Sequence, residues 1–91
     1  MQLCVDVYKI CHHFPSQEKY ALANQMERAV VSISSNISEG ASRSSSLDFA
    51  HFLEISLGSA FELETQLKIA LALQYLSQDE YNNLYEKLGI I

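Results

Sequence analysis

Gln25-Met26-Glu27-Arg28-Ala29-Val30-Val31-Ser32-Ile33-Ser34-Ser35-Asn36-Ile37-Ser38-Glu39-Gly40 decides the fold. Met26, Ala29, Val30, Ile33 and Ile37 recur at i, i+3 and i+4, the spacing of a core-facing helix. Arg28, Ser32, Ser35, Asn36 and Glu39 repeat the same period on the other side and form a polar stripe. The stretch reads as the second half of a long helix, with Gly40 as its stop because glycine adopts a left-handed terminal conformation at least cost.

Working backwards, Phe14-Pro15-Ser16 breaks the chain, since Pro15 cannot continue a helix and disfavours helical geometry at Phe14. Met1 to His13 then forms a first helix, with Leu3, Val7, Ile10 and Cys11 on one face. Ser16 is the expected N-cap of the second helix, Gln17 to Glu39, whose spine begins at Leu22.

Working forwards, Gly40 to Ser46 is a serine-rich loop whose only charge is Arg43. Ser45 or Ser46 caps a third helix expected over Leu47 to Leu76. Its main stripe is Phe49, Leu53, Ser56, Ala60, Leu63, Leu67, Ala70 and Leu71. Ile55, Ile69 and Leu73 sit nearly opposite, with Phe61 projecting between the two sets. A helix apolar on more than one side needs more than one partner surface, so these four are candidate contacts with another subunit. Gly58, Ser59 and Ala60 offer a small-residue patch for close helix approach. Ser77-Gln78-Asp79-Glu80 is a capping box and opens a fourth helix carrying Tyr81, Leu84, Tyr85, Leu88 and Ile91. The fourth helix is short and shows no end signal, which suggests truncation. Short connections favour antiparallel neighbours. The expectation is an all-α, up-down-up-down antiparallel four-helix bundle forming one domain over residues 1–91.

The 91 residues, 48% hydrophobic and 19% charged, suit one small globular domain. Six Lys and Arg against eleven Asp and Glu leave a net charge of −5, which argues against a generic nucleic-acid coat. No apolar run approaches the roughly 18 residues of a membrane span, and Met1 to Phe14 lacks the features of a signal peptide. A cytoplasmic protein is expected. Cys4 and Cys11, about 10 Å apart along one helix, are too distant to bridge and read as buried thiols.

No catalytic constellation is expected. Cys11 and His12 are neighbours whose side chains diverge by about 100°, and no glycine-rich phosphate loop occurs. Asp48 and His51 form an i, i+3 pair, but bundle metal sites need two such pairs and further carboxylates. Neither metal nor cofactor is expected. Arg28, Ser32, Asn36, Glu39 and Arg43 remain as the candidate site. Arg28, Asn36, Glu39 and Arg43 could form one charge-paired network at an end of the bundle. The alternatives are a solvated face of weak pairs and a surface where the arginines meet a phosphate or carboxylate.

Phe14-Pro15-x-x-Glu18-x-Tyr20, Gln25-x-x-Arg28-Ala29, Ser32-Ile33-x-x-Asn36-Ile37-x-Glu39-Gly40 and Gly58-Ser59-Ala60-x-Glu62-Leu63-Glu64, with Arg43, Phe49 and Phe52-Leu53 between the last two, carry a resemblance. Over Val7 to Leu67 the chain resembles the bacterial four-helix-bundle proteins encoded in intervening sequences of large-subunit ribosomal RNA genes. It is also similar to the accessory variability proteins of diversity-generating retroelements. The resemblance implies a four-helix bundle, a homo-pentamer, no enzymatic activity, and association with RNA or a nucleic-acid-handling partner. It also implies a longer fourth helix. The retroelement proteins are strongly basic and this chain is acidic, so a protein–protein adaptor without direct nucleic-acid contact stands as the alternative.

Overall fold

The computed structural model describes residues 2–89, and among them there are four α-helices and no strand. These are α1 (Gln2–Cys11), α2 (Leu22–Ala41), α3 (Ser46–Ala72) and α4 (Gln78–Leu88). Contacts join α1 to α2, α2 to α3, α3 to α4 and α4 back to α1, the cycle of neighbours consistent with an up-down-up-down bundle.

The α2–α3 hairpin is the frame. Ser32 meets Ser59, Ile33 meets Ser56 and Gly40 meets Phe49 and Phe52. Partner numbers fall along α3 as they rise along α2, so the two helices run antiparallel. At 1.5 Å per residue α3 is about 40 Å long, which accounts for the 43 Å long axis of the molecule. Helices α1 and α4 are less than half that length and cover one end of the hairpin only. The core lies at that end: Val7, Cys11 and Phe14 pack with Met26, Val30, Leu63, Leu67 and Leu84.

This short cover corrects the expected α3 stripe. Leu63, Leu67 and Ala70 are buried, but Phe49 and Leu53 are each 40% exposed, and Ile37 on α2 is also exposed. They continue the core-facing stripes beyond the reach of α1 and α4.

Helix α1 ends at Cys11, two residues short of the expected His13, and three further ends differ from the sequence expectation. The second helix does not start at Gln17. One turn of 3-10 helix, Ser16–Glu18, precedes α2, and Ser16 caps nothing. Burial of the Phe14 ring against Tyr75, and the 2.7 Å bond that the Tyr75 hydroxyl donates to Glu18, tie this segment to the far end of α3. Chain direction there is set by these anchors and not by a cap. Helix α3 stops at Ala72 through a C-terminal motif without glycine. Gln74 takes a left-handed φ of 63°, while Tyr75 N–H donates to Ala70 and Gln74 N–H to Leu71, the paired bonds of a Schellman ending. Replacing Gln74 with glycine is expected to raise stability by roughly 0.5–1 kcal/mol, relieving the left-handed strain; a thermal melt checks this.

The third end is Gly40, which stops nothing: α2 continues through it to Ala41. Gly89 is the left-handed glycine, φ 69°, and ends α4. Gly89 thus supplies an end signal for α4 where none was expected. The capping box at its start is present, with Ser77 and Glu80 each bonding the other's backbone N–H. Ser45 caps α3 by accepting from Asp48 N–H. Ile91, expected on α4, lies outside the described residues.

Candidate functional site

The polar stripe of α2 lies along its seam with α3. Residues four apart share a helix face, so Arg28, Ser32 and Asn36 line up. Asn36 Nδ2 donates to the Ser32 carbonyl at 2.8 Å and to Ser32 Oγ at 3.1 Å. Ser32 and Ser59 hydroxyls bond at 2.8 Å, and Ser56 donates to the Ile33 carbonyl. Small side chains permit this close approach, and their hydroxyls cross-link the two helices.

Towards the core end the seam opens into a groove of about 360 Å³ lined by Gln25, Arg28, Ala29, Ser32, Ser59, Glu62 and Gln66. Gln66 is 8% exposed, yet its Oε1 has no hydrogen-bond partner among the described residues. A buried acceptor without a partner costs roughly 1–3 kcal/mol. Arg28, at the rim, has no carboxylate within 4.0 Å among the described residues, whose ion pairs join Arg43 to Glu39, Lys68 to Glu64 and Lys87 to Asp6.

The expected single network is therefore divided. Glu39 and Arg43 pair at 3.0 Å near the distal end, both about half exposed. Ser42 donates to the Glu39 carbonyl, and the Arg43 guanidinium lies 5.0 Å over the Phe52 ring. Arg28 is about 16 Å back along the helix from Glu39. Ser32 and Asn36 belong to the seam, Arg28 to the groove, Glu39 and Arg43 to the loop end. An exposed pair of this kind contributes about 0–1 kcal/mol.

Ile55, Phe61, Ile69 and Leu73 are all exposed in this chain. Ile55, Glu62, Gln66, Ile69 and Leu73 recur at sevens, fours and threes and so share one face of α3. Phe61 falls outside that row. Gly58 has no atom within 4 Å of where a Cβ would stand, so the close approach expected there is made instead by Ser59 and Ala60, both buried against the hairpin. Gln25 and Glu62 stood in the resemblance motifs but not among the candidate site residues, and Gln66 stood in neither. The available signal was Gln66, a polar residue at core spacing between Leu63 and Ala70.

Other reactive groups lie apart from the groove. Cys11 Sγ donates weakly to the Ala23 carbonyl, and burial, reinforced by the Glu27 charge, pushes its thiol up to about 12. At neutral pH it is protonated and a poor nucleophile. Asp48 and His51 line a separate depression with Glu54, of about 360 Å³ as well. No group of three or more His, Cys, Asp or Glu is placed to hold a metal among the described residues. No described helix is long and apolar enough to cross a membrane.

A crystal structure from Bacteroides thetaiotaomicron, described as a protein of unknown function from the S23 ribosomal protein family, has a similar fold. Its TM-score is 0.86 at 24% identity, over 96% of this chain and 79% of that one. No curated protein matches. The family model described as 23S rRNA-intervening sequence protein matches residues 1–91, and the chain belongs to that family.

Proposed function

We propose that this chain is a non-enzymatic helical-bundle protein, one domain throughout, that works as an assembly of identical copies, five by resemblance, in the cytoplasm beside RNA or a ribonucleoprotein. The observation that carries the assembly is the exposed apolar side of α3, Ile55, Ile69 and Leu73, away from the core face. Small domains bury a modest share of their surface alone, and association covers such a side. Family membership supports the RNA context. In this reading Arg28 and Arg43 are the phosphate contacts, and no side chain of the stripe has a nucleophile–base partner to do chemistry with.

A second reading, a protein–protein adaptor, is favoured by the net charge of −5, which opposes polyanion binding. A mobility shift on 23S ribosomal RNA fragments over a salt series separates the two. The RNA reading expects binding that weakens with salt and is lost when Arg28 and Arg43 are both reversed to glutamate. Absence of binding even at low salt leaves the adaptor.

A further inference from the structure

We propose that two copies of the chain pack inner face to inner face through the uncovered distal half of the α2–α3 hairpin, about a two-fold axis. The paired hairpins then complete the four-helix core that α1 and α4 leave unfinished. This contact lies on a different side of α3 from Ile55, Ile69 and Leu73, and it adds to the assembly proposed above.

The lengths of the helices define the face. Helix α4, about 16 Å long, runs back along an α3 of about 40 Å and leaves roughly 24 Å of hairpin beyond it. Ser34, Ile37 and Ala41 continue the row of Val30 along α2, and Phe49, Phe52 and Leu53 continue that of Leu63 along α3. Ile37, Phe49 and Leu53 are 47%, 40% and 40% exposed, although the same rows are core at the other end of the hairpin.

Charge and shape select the occupant. No residue of the two rows ionises, and the Glu39–Arg43 pair beside them neutralises itself. A polyanion finds no unpaired cation there, while a second chain of net charge −5 can pack on this face with no like charges set opposite. The face is two helices, roughly 20 Å, wide. A single helix would cover about half of it; the same hairpin in a second copy covers all of it. The area is roughly 500 Å² per copy, or about 1,000 Å² in all, which reaches the lower bound of a specific interface.

Helices α1 and α4 fix the orientation. Parallel hairpins would drive the two covered ends into each other. Antiparallel hairpins place each covered end beyond the tip of the other copy. The uncovered part of α3 starts at Ser46 and runs for about 16 residues, so Leu53 sits near its middle. A two-fold axis there sets Leu53 against Leu53 of the partner subunit.

The experiment is sedimentation and light scattering of the full chain over a concentration series, with thermal melts of each variant. An interface of this size is expected to hold at about micromolar concentration and above. Leu53→Asp sets two carboxylates against each other at the axis and is expected to weaken association at least tenfold. Leu53 is exposed in the single chain, so the dilute protomer should melt as the parent does. In a Cys4→Ser background, Leu53→Cys is expected to give a disulfide-linked dimer on mild oxidation. Leu47→Cys, at a position 81% exposed and outside both rows, is expected not to. If the parent chain stays monomeric at high micromolar concentration, this proposal and the assembly both fail. If Ile69→Asp abolishes association while Leu53→Asp leaves it unchanged, the distal contact is wrong and the flank of α3 alone carries the assembly. The reverse result keeps the distal contact and removes the flank. Equal cross-linking of Leu47→Cys and Leu53→Cys marks random collision and overturns the proposal.

Discussion

Leu63→Ala is expected to lower the unfolding free energy by about 3 kcal/mol. Leu63 is fully buried, and it belongs to the cluster that joins α2, α3 and α4 to α1. Truncation removes the transfer free energy of the lost carbons and leaves a cavity. The core sits at one end of the hairpin, and the distal half has little buried apolar surface with which to compensate. For a domain of this size each kcal/mol shifts the melting temperature by about 4–8 °C, so a fall of roughly 12–24 °C is expected. Leu47→Ala is the control, since Leu47 is 81% exposed and surface changes stay within about 0.5 kcal/mol. Melts should be compared at one protein concentration, because association adds to apparent stability. A Leu63→Ala loss below about 1 kcal/mol would place the core elsewhere.

The helices were legible because their signals are local. Period-3.6 stripes gave four helices, and Ser77 with Glu80 marked the start of α4 from four adjacent residues. The 3-10 turn at Ser16–Glu18 was not legible, since its cause is remote: Tyr75 is 57 positions from the Glu18 it binds. The end of α3 was missed because Gln74 does what glycine usually does, held left-handed by two backbone bonds that composition does not reveal. The exposure of Phe49 and Leu53 depends on how far α1 and α4 reach, a length comparison between elements and not a property of α3. The groove is a similar case. Arg28 and Ser32 showed as a stripe on α2, but Glu62 and Gln66 join them only once the register of the hairpin is known. The bond between Ser32 and Ser59 marks that register, which the packing of Met26 and Val30 with Leu63 and Leu67 holds.

Gly40 gives the sharpest test of how the hairpin is closed. Read as a helix stop, it would tolerate asparagine, which also accepts a left-handed conformation. The structure assigns a different constraint. Gly40 is buried and helical, within α2. A Cβ there would lie 2.9 Å from Phe49 Cδ1 and 3.0 Å from Phe52 Cβ. The first contact is soft, because the half-exposed Phe49 ring can swing aside. The second is not, because Phe52 Cβ moves only with the α3 backbone. Any side chain therefore pushes α2 and α3 apart and stretches the Ser56–Ile33 and Ser32–Ser59 bonds nearby. In Gly40→Ala the gain of roughly 1 kcal/mol in helix propensity offsets much of that strain, and a change within about 1 kcal/mol is expected. Gly40→Leu has no such balance, and overpacking of this kind is expected to cost about 3 kcal/mol. Gly40→Asn should resemble leucine, because it is branched at Cγ and gains nothing from a left-handed site that does not exist. Thermal melts of the three variants, with amide exchange over residues 32–40, decide between the two roles. If asparagine is neutral while alanine is destabilising, Gly40 acts as a stop and the close approach of α2 to Phe52 is wrong. The expected order, alanine mildest and asparagine grouped with leucine, makes Gly40 the point where the hairpin is packed too tightly to admit a side chain larger than a methyl group.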